Sequence, residues 1–146
     1  MKKLHFAVAA AAALLAFGAQ ARDTTLHLSI AETLSMPEAK EKLDPSVTFY
    51  WGAQKTPKVL EKLSTDTTNK KTNAFNKSDE EACKWAFLSA VIALQDKAKA
   101  LGANAVINTV SYYKKVEYSS PTEFECHAGA IIGGVALKGT YAKVAR

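Results

Sequence analysis

The stretch from Ser78 to Gly102 most limits what this chain can fold into. Ser78 and Glu81 form an S-x-x-E capping box, and Asp79 and Glu80 suit the positive start of a helix. Gly102 suits a left-handed stop, so the spacing predicts a helix over about 79–101. Cys83, Phe87, Ala90, Val91, Leu94, Ala98 and Leu101 make one apolar stripe along it, and Trp85, Leu88 and Ile92 make a second. Two stripes are wider than one sheet contact needs. The second therefore either packs under another helix or forms a dimer surface.

Strand patterns surround this helix. Thr24 to Ile30 alternates, with Leu26, Leu28 and Ile30 on one face and His27 on the other, directed at solvent or a sheet edge. Pro37 suits the first turn of a short helix over about 37–43, preceded by one helical turn and closed by Asp44-Pro45. Val47 to Trp51 reads as a strand. Residues 53–78 are lysine- and threonine-rich, with a turn of helix expected near 57–62 and an edge strand near 65–75. Ala103 to Tyr113 is a β-branched and aromatic strand. A polar hairpin region then leads into a strand from Thr122 to Ala130. Gly129 is expected to bulge it, and Gly133-Gly134 to bend the chain. Val135 to Val144 closes the sheet, as two short strands around Gly139. The expectation is a single α+β domain over 22–146. It has an antiparallel or mixed sheet of four to six strands against the long helix and the short one.

Residues 1–21 belong to a different kind of segment. Lys2 and Lys3 precede an apolar run from Phe6 to Gly18, and Ala19-Gln20-Ala21 supplies the small-x-small pattern of signal-peptide cleavage. Thirteen helical residues cover about 20 Å, short of the ~30 Å bilayer core. The segment is thus read as a cleaved export signal, with the mature chain starting at Arg22 and no cysteine there to carry a lipid. The expected location is periplasmic or secreted, with no membrane span. The segment holds two of the 19 basic residues and none of the 14 acidic ones, so the net charge falls from +5 to +3 without it. That excess hints at anionic envelope polymers as partners. Nucleic acid is not expected, because the lysines lack density and interleaved aromatics.

Cys83 and Cys126 are the only cysteines, and an even number in an exported chain suggests one disulfide. The alternative is a metal or thiol-redox site built from Cys83, Cys126 and His127. A redox pair is usually C-x-x-C, which is absent, and no fourth metal ligand is signposted. No G-x-S-x-G elbow or H-E-x-x-H occurs either. Glu123 and Glu125 share one face of a strand, where ion pairs with Lys114 and Lys115 are expected rather than acid–base work. Tyr50, Trp51, Tyr112, Tyr113 and Tyr118 could line a groove or simply pack. No catalytic residue and no cofactor is assigned. The candidate interaction surface is Trp85, Leu88, Ile92, Lys70 and Lys71, on a monomer or homodimer.

Three runs carry a resemblance over nearly the whole mature chain: Lys70 through Ala90, Ala105-Val-Ile-Asn followed by Ser111-Tyr-Tyr-Lys-Lys, and Tyr118 through Gly139 with its Glu125-Cys-His-Ala-Gly-Ala core. They resemble a family of small exported proteobacterial proteins often labelled "excinuclease ATPase subunit". That label implies nucleotide hydrolysis in the cytoplasm. The chain has no G-x-x-x-x-G-K-[S/T] loop to wrap phosphates and carries an export signal, so the label is read as a mistaken transfer. Leu101 to Asn108 is also similar to a turn in small α/β envelope proteins, including the outer-membrane lipoprotein that senses stress for the Rcs phosphorelay. This second likeness implies a signalling partner as an alternative role. The main expectation is an exported, non-catalytic accessory or binding module of the envelope.

Overall fold

A computed structural model describes residues 22–146; the segment read as an export signal lies outside the described residues. The chain runs through β1 (Thr24–Ser29), α1 (Ile30–Leu34), α2 (Pro37–Lys42), β2 (Thr48–Trp51) and β3 (Val59–Asn73). It continues through α3 (Asp79–Ala100), β4 (Ala105–Ser111), β5 (Glu123–Ala128) and β6 (Ile132–Val144), with a 3₁₀ turn at Tyr113–Lys115. The six strands form one mixed sheet, and α3 lies across one face of it. This is the expected α+β architecture.

The long helix forms as its caps require. Ser78 Oγ accepts from the Glu81 N–H at 3.1 Å, and Gly102 takes φ +73° beyond the last turn. Its first stripe meets Phe124, Cys126, Val135, Leu137 and Tyr141 in the main core. Phe87 stacks on Phe124 with ring centroids 4.0 Å apart and lies 5.5 Å from Trp51. Such aromatic contacts add roughly 0.5–1.5 kcal/mol each beyond area burial. The second stripe packs toward the short N-terminal helices. Leu88 is buried, Trp85 and Ile92 are half-buried, and Lys42 Nζ sits 5.8 Å from the Trp85 ring centroid. Gln95, also buried, accepts from the Asp44 N–H at 2.6 Å and donates to the Lys42 carbonyl, tying the end of α2 to α3.

Strand β6 organises the sheet. One edge pairs antiparallel with β3 from end to end. The other is shared between β5, at Gly133 and Gly134, and β4, from Leu137 to Ala142. Beyond these, β1 pairs antiparallel with β5 and β2 pairs parallel with β4. Two expectations change here. Val59–Asn73 forms one 15-residue strand rather than a helical turn near 57–62 and a separate strand near 65–75, because β6 offers a continuous edge. Likewise β6 is one 13-residue strand, with neither a bend at Gly133-Gly134 nor a break at Gly139. The glycines serve close packing instead. A Cβ at Gly139 would lie 2.5 Å from Val106 Cγ1, and one at Gly133 would lie 3.2 Å from the Ala82 methyl. Asn104, in the turn after α3, extends the ladder with its side chain. Its amide accepts from the Val144 N–H at 2.8 Å and donates to the Val144 carbonyl at 2.9 Å.

Cys83, in the first turns of α3, is bonded to Cys126 on β5, with Cα atoms 5.8 Å apart and both residues fully buried. At the same end, Arg22 makes a two-pronged contact with Asp79 at 2.6 and 3.0 Å. The guanidinium's hydrogen bonds hold the Asp79 carboxyl below the usual carboxylate range. Asp44 is lowered to about 2, first by the Ser46 backbone N–H and then by Lys99.

Two predictions follow from these links. The disulfide closes a loop with a sequence separation of 43. Replacing both cysteines by alanine should therefore cost about 4 kcal/mol in urea unfolding, by the chain-entropy argument. Asp44 and Asp79 ionise more readily folded than unfolded. Their contribution is thus complete above the unfolded carboxylate range near about pH 4 and disappears as pH falls toward about 2. An Asp44→Asn, Asp79→Asn variant should lose less Tm than the wild-type chain between these limits in a calorimetric acid series.

Candidate functional site

Successive residues of a strand face opposite sides of a sheet, and β5 uses this alternation fully. Phe124, Cys126 and Ala128 point to α3 and are buried. Glu123, Glu125 and His127 therefore point to the face that α3 leaves open. Register then decides what meets them. His27 of β1 stands opposite Glu125, and Thr25 stands opposite His127.

Both histidines of the described chain converge on one carboxylate. His27 Nε2 lies 3.3 Å from Glu125 Oε1, and His127 Nε2 lies 3.2 Å from Glu125 Oε2. Each imidazole also stacks on a tyrosine. His127 and Tyr113 have ring centroids 3.8 Å apart, and His27 and Tyr118 have centroids 4.2 Å apart. The connection between β4 and β5 supplies both tyrosines and folds back over the open face. Gly134, opposite His127, lies under the first, where a Cβ would be in ordinary van der Waals contact with the Tyr113 ring at 3.5 Å. The Ser111 hydroxyl accepts from the Glu125 backbone N–H at 2.9 Å, fixing β5 against the end of β4. On the far side of His127, Nδ1 lies 3.4 Å from the Thr25 hydroxyl and 3.5 Å from an Asp23 carboxylate oxygen.

Beside this cluster is a surface cleft of about 240 Å³ lined in part by Arg22, Lys71, Tyr113, His127 and Gly134. Its wall carries two cations, the Asp23 carboxylate, an imidazole and a phenol. A second, larger cleft of about 500 Å³ lies on the α3 side at the β2 edge, lined chiefly by Leu34, Leu43, Val47, Phe49 and Trp51. On that side too, Tyr141 is buried and donates to Asp66 at 3.0 Å. Burial first, and then the Asp66 carboxylate, push its phenol above the ordinary tyrosine range.

The structure separates several residues that the sequence grouped. Cys83, Cys126 and His127 form no ligand set, because both sulfurs are in the disulfide and His127 faces the opposite side of β5 from Cys126. Among the described residues, no group of three His, Cys, Asp or Glu side chains is arranged to hold a metal ion. Trp85, Leu88, Ile92, Lys70 and Lys71 do not make one surface. Leu88 is buried, and the two lysines are consecutive on β3, opposite Val135 and Gly134, so they face opposite sides. Glu125 meets histidines rather than Lys114 or Lys115, and Lys114 Nζ sits 5.7 Å from the Tyr113 ring centroid instead. Of the five aromatics, Tyr113 and Tyr118 reach the cluster, while Trp51 is core, Tyr50 packs against the Ile107 cluster and Tyr112 lies under Lys138 Nζ at 4.5 Å. The alternation of His27 with Leu26 and Leu28, and of Glu125 and His127 with Cys126, already assigned their faces. Only strand register could bring them together.

Chemically, the cluster presents a carboxylate between two imidazoles with their rings covered by phenols. It can accept or give protons at Glu125 and the outer imidazole nitrogens, and it offers flat aromatic edges to a ligand. No protein-family model matches this chain, and neither does any curated protein or solved structure.

An imidazolium–carboxylate contact is stronger than a neutral one. A double-mutant cycle between Glu125→Ala and His127→Ala should therefore yield a coupling of about 0.5–1 kcal/mol. Thermal unfolding of the four proteins measures it, and a coupling indistinguishable from zero would show that the contact adds nothing to stability.

Proposed function

We propose that this protein is an exported, non-catalytic binding module of the cell envelope that works through the open face of its sheet. The observation that carries this reading is β5. Its inner face is bonded to α3 by a buried disulfide, and its outer face presents Glu125 between the two histidine–tyrosine stacks. A structural disulfide suits an oxidising compartment, the periplasm or the exterior. The apolar run and Ala19-Gln20-Ala21 supply the route there, and the resemblance to small exported proteins agrees with it.

A rigid β-strand holding a shallow, polar and aromatic surface is suited to recognition of a polymer or a protein face. Polar groups there set orientation, and the stacked rings supply contact area at little entropic cost. The partner in this reading is an envelope protein or an anionic polymer, met by a monomer or homodimer. Lys71 and Arg22 beside His127 supply the cationic part of that surface.

The test is mass spectrometry of protein isolated from the periplasm, with alkylation under denaturing conditions and no reductant. The expected product starts at Arg22, weighs two hydrogens less than the reduced chain and takes up no alkylating agent. A His27→Ala, Tyr118→Ala variant should keep the Arg22 start and the two-hydrogen deficit yet lose capture of the envelope component that cross-links to the wild-type chain. Two alkylated cysteines, or a chain that keeps residues 1–21 in the cytoplasm, would overturn the reading.

A further inference from the structure

We propose that the free edge of β3 is a self-pairing surface, where a second copy of this chain adds its own β3 antiparallel about a two-fold axis through Thr68. Among the described residues β3 pairs with β6 alone, and from Thr65 to Asn73 that pairing is regular. The Ala74 N–H donates to the Ile131 carbonyl just before β6, so alternate residues back to Asp66 direct their backbone groups toward β6. The β6 side agrees, since the carbonyl of Ala136, opposite Asn69, accepts from the Tyr112 N–H on the other edge. The N–H and C=O groups of Thr65, Thr67, Asn69, Lys71 and Asn73 therefore point away from β6, and all five residues are exposed. A regular unpaired edge of this length is a template for another strand.

Charge identifies the occupant. Lysines on an edge oppose pairing with a strand that offers them no counter-charge. The regular stretch carries Lys70 and Lys71, with Asp66 as its only carboxylate. Neither Asp66 nor Lys70 joins an ion pair among the described residues. Asp66 accepts from Tyr141 through one oxygen, and Lys97 of α3 lines the same cleft. Opposed residues of an antiparallel pair share a face, so a two-fold axis normal to the sheet must pass through a residue. An axis at Asp66 or Lys70 sets like charge on like, and one at Thr67 or Asn69 brings no charge of this stretch opposite another. With the axis at Thr68, Asp66 of each copy faces Lys70 of the other, while Lys71 meets Thr65 and Thr67 meets Asn69. The outward backbone groups of these last two pairs then meet one another and complete a ladder. A second copy supplies this match by symmetry, whereas an unrelated peptide leaves Lys70 unmatched. The axis also keeps both open faces on one side, so the dimer presents two Glu125 clusters to one partner. That consequence rests on the recognition reading of the open face; the dimer itself does not.

The test uses residues 22–146, which hold every described strand and helix and the disulfide. Sedimentation velocity over a concentration series should show a monomer–dimer equilibrium. Thr67→Pro removes an outward N–H and no bond to β6, so it should abolish the dimer and leave a folded monomer. Lys70→Glu, which sets like charges opposite each other, should weaken the dimer about tenfold. Thr68→Cys places two thiols at a non-hydrogen-bonded pair with Cα atoms about 4.5 Å apart, within disulfide reach. It should cross-link the dimer on oxidation, and Thr67→Cys and Asn69→Cys should not. Thermal unfolding verifies that each variant is folded, and if Thr67→Pro is not, the cysteine set decides alone. A wild-type chain that is monomeric at every concentration overturns the proposal, even if an extended peptide binds along β3. So does a dimer that folded Thr67→Pro retains, or cross-linking through position 67 or 69 in place of 68. The mass measurement of export and disulfide is independent, so this proposal can fail while that reading stands.

Discussion

Strand β6 hydrogen-bonds to β3 along one edge and divides its other edge between β5 and β4, and every other part of the sheet hangs from that arrangement. At two positions of β6 the neighbouring elements come close enough to crowd a Cβ. Gly133 therefore sits against Ala82 of α3, Gly139 against Val106 of β4, and Ala136 and Ala142 are fully buried. The long polar strand β3 exists because β6 satisfies its backbone. Its own side chains bury too little apolar surface to hold a strand otherwise.

The disulfide acts on the branch that β6 holds most weakly. Only His127 and Ala128 of β5 register against β6, so most of β5 would be secured by β1 alone. Bonding Cys126 to Cys83 fixes that branch to α3, and the Phe124–Phe87 stack beside it does the same by packing. Rigidity on the inner face passes to the outer one. Glu125 and His127 flank Cys126 in sequence, so their backbone positions are set by a buried covalent bond. A recognition surface built on such a strand loses little order when it binds.

The two ends of the sheet also differ. At the β1–β5 end lie the histidine cluster, the Arg22–Asp79 contact and the exposed tip of Phe75 and Ile131. At the other, β2 and the last residues of β6 close a small apolar cluster with Val59 and Tyr50. Polar side-chain contacts are thus gathered where the chain enters the domain.

Local chemistry alone determined the long helix, its capped ends at Ser78 and Gly102, the short helix begun by Pro37, and the faces of His27, Glu125 and Cys126. These features depend on backbone capping and on two-residue alternation, both written in neighbouring positions. Tertiary structure decided the rest. Residues 59–64 became strand because β6 lay beside them, and Gly139 stayed inside a strand because Val106 crowded it. Asn104 extended the ladder because Val144 came within reach. The histidine–glutamate–histidine contact belongs to this second class. His27 and Glu125 are far apart in sequence, and a shift of one residue in the β1–β5 register would leave them on opposite faces of the sheet. Sequence set which side chains could meet, and strand register, pinned by the disulfide and the core, chose the ones that do.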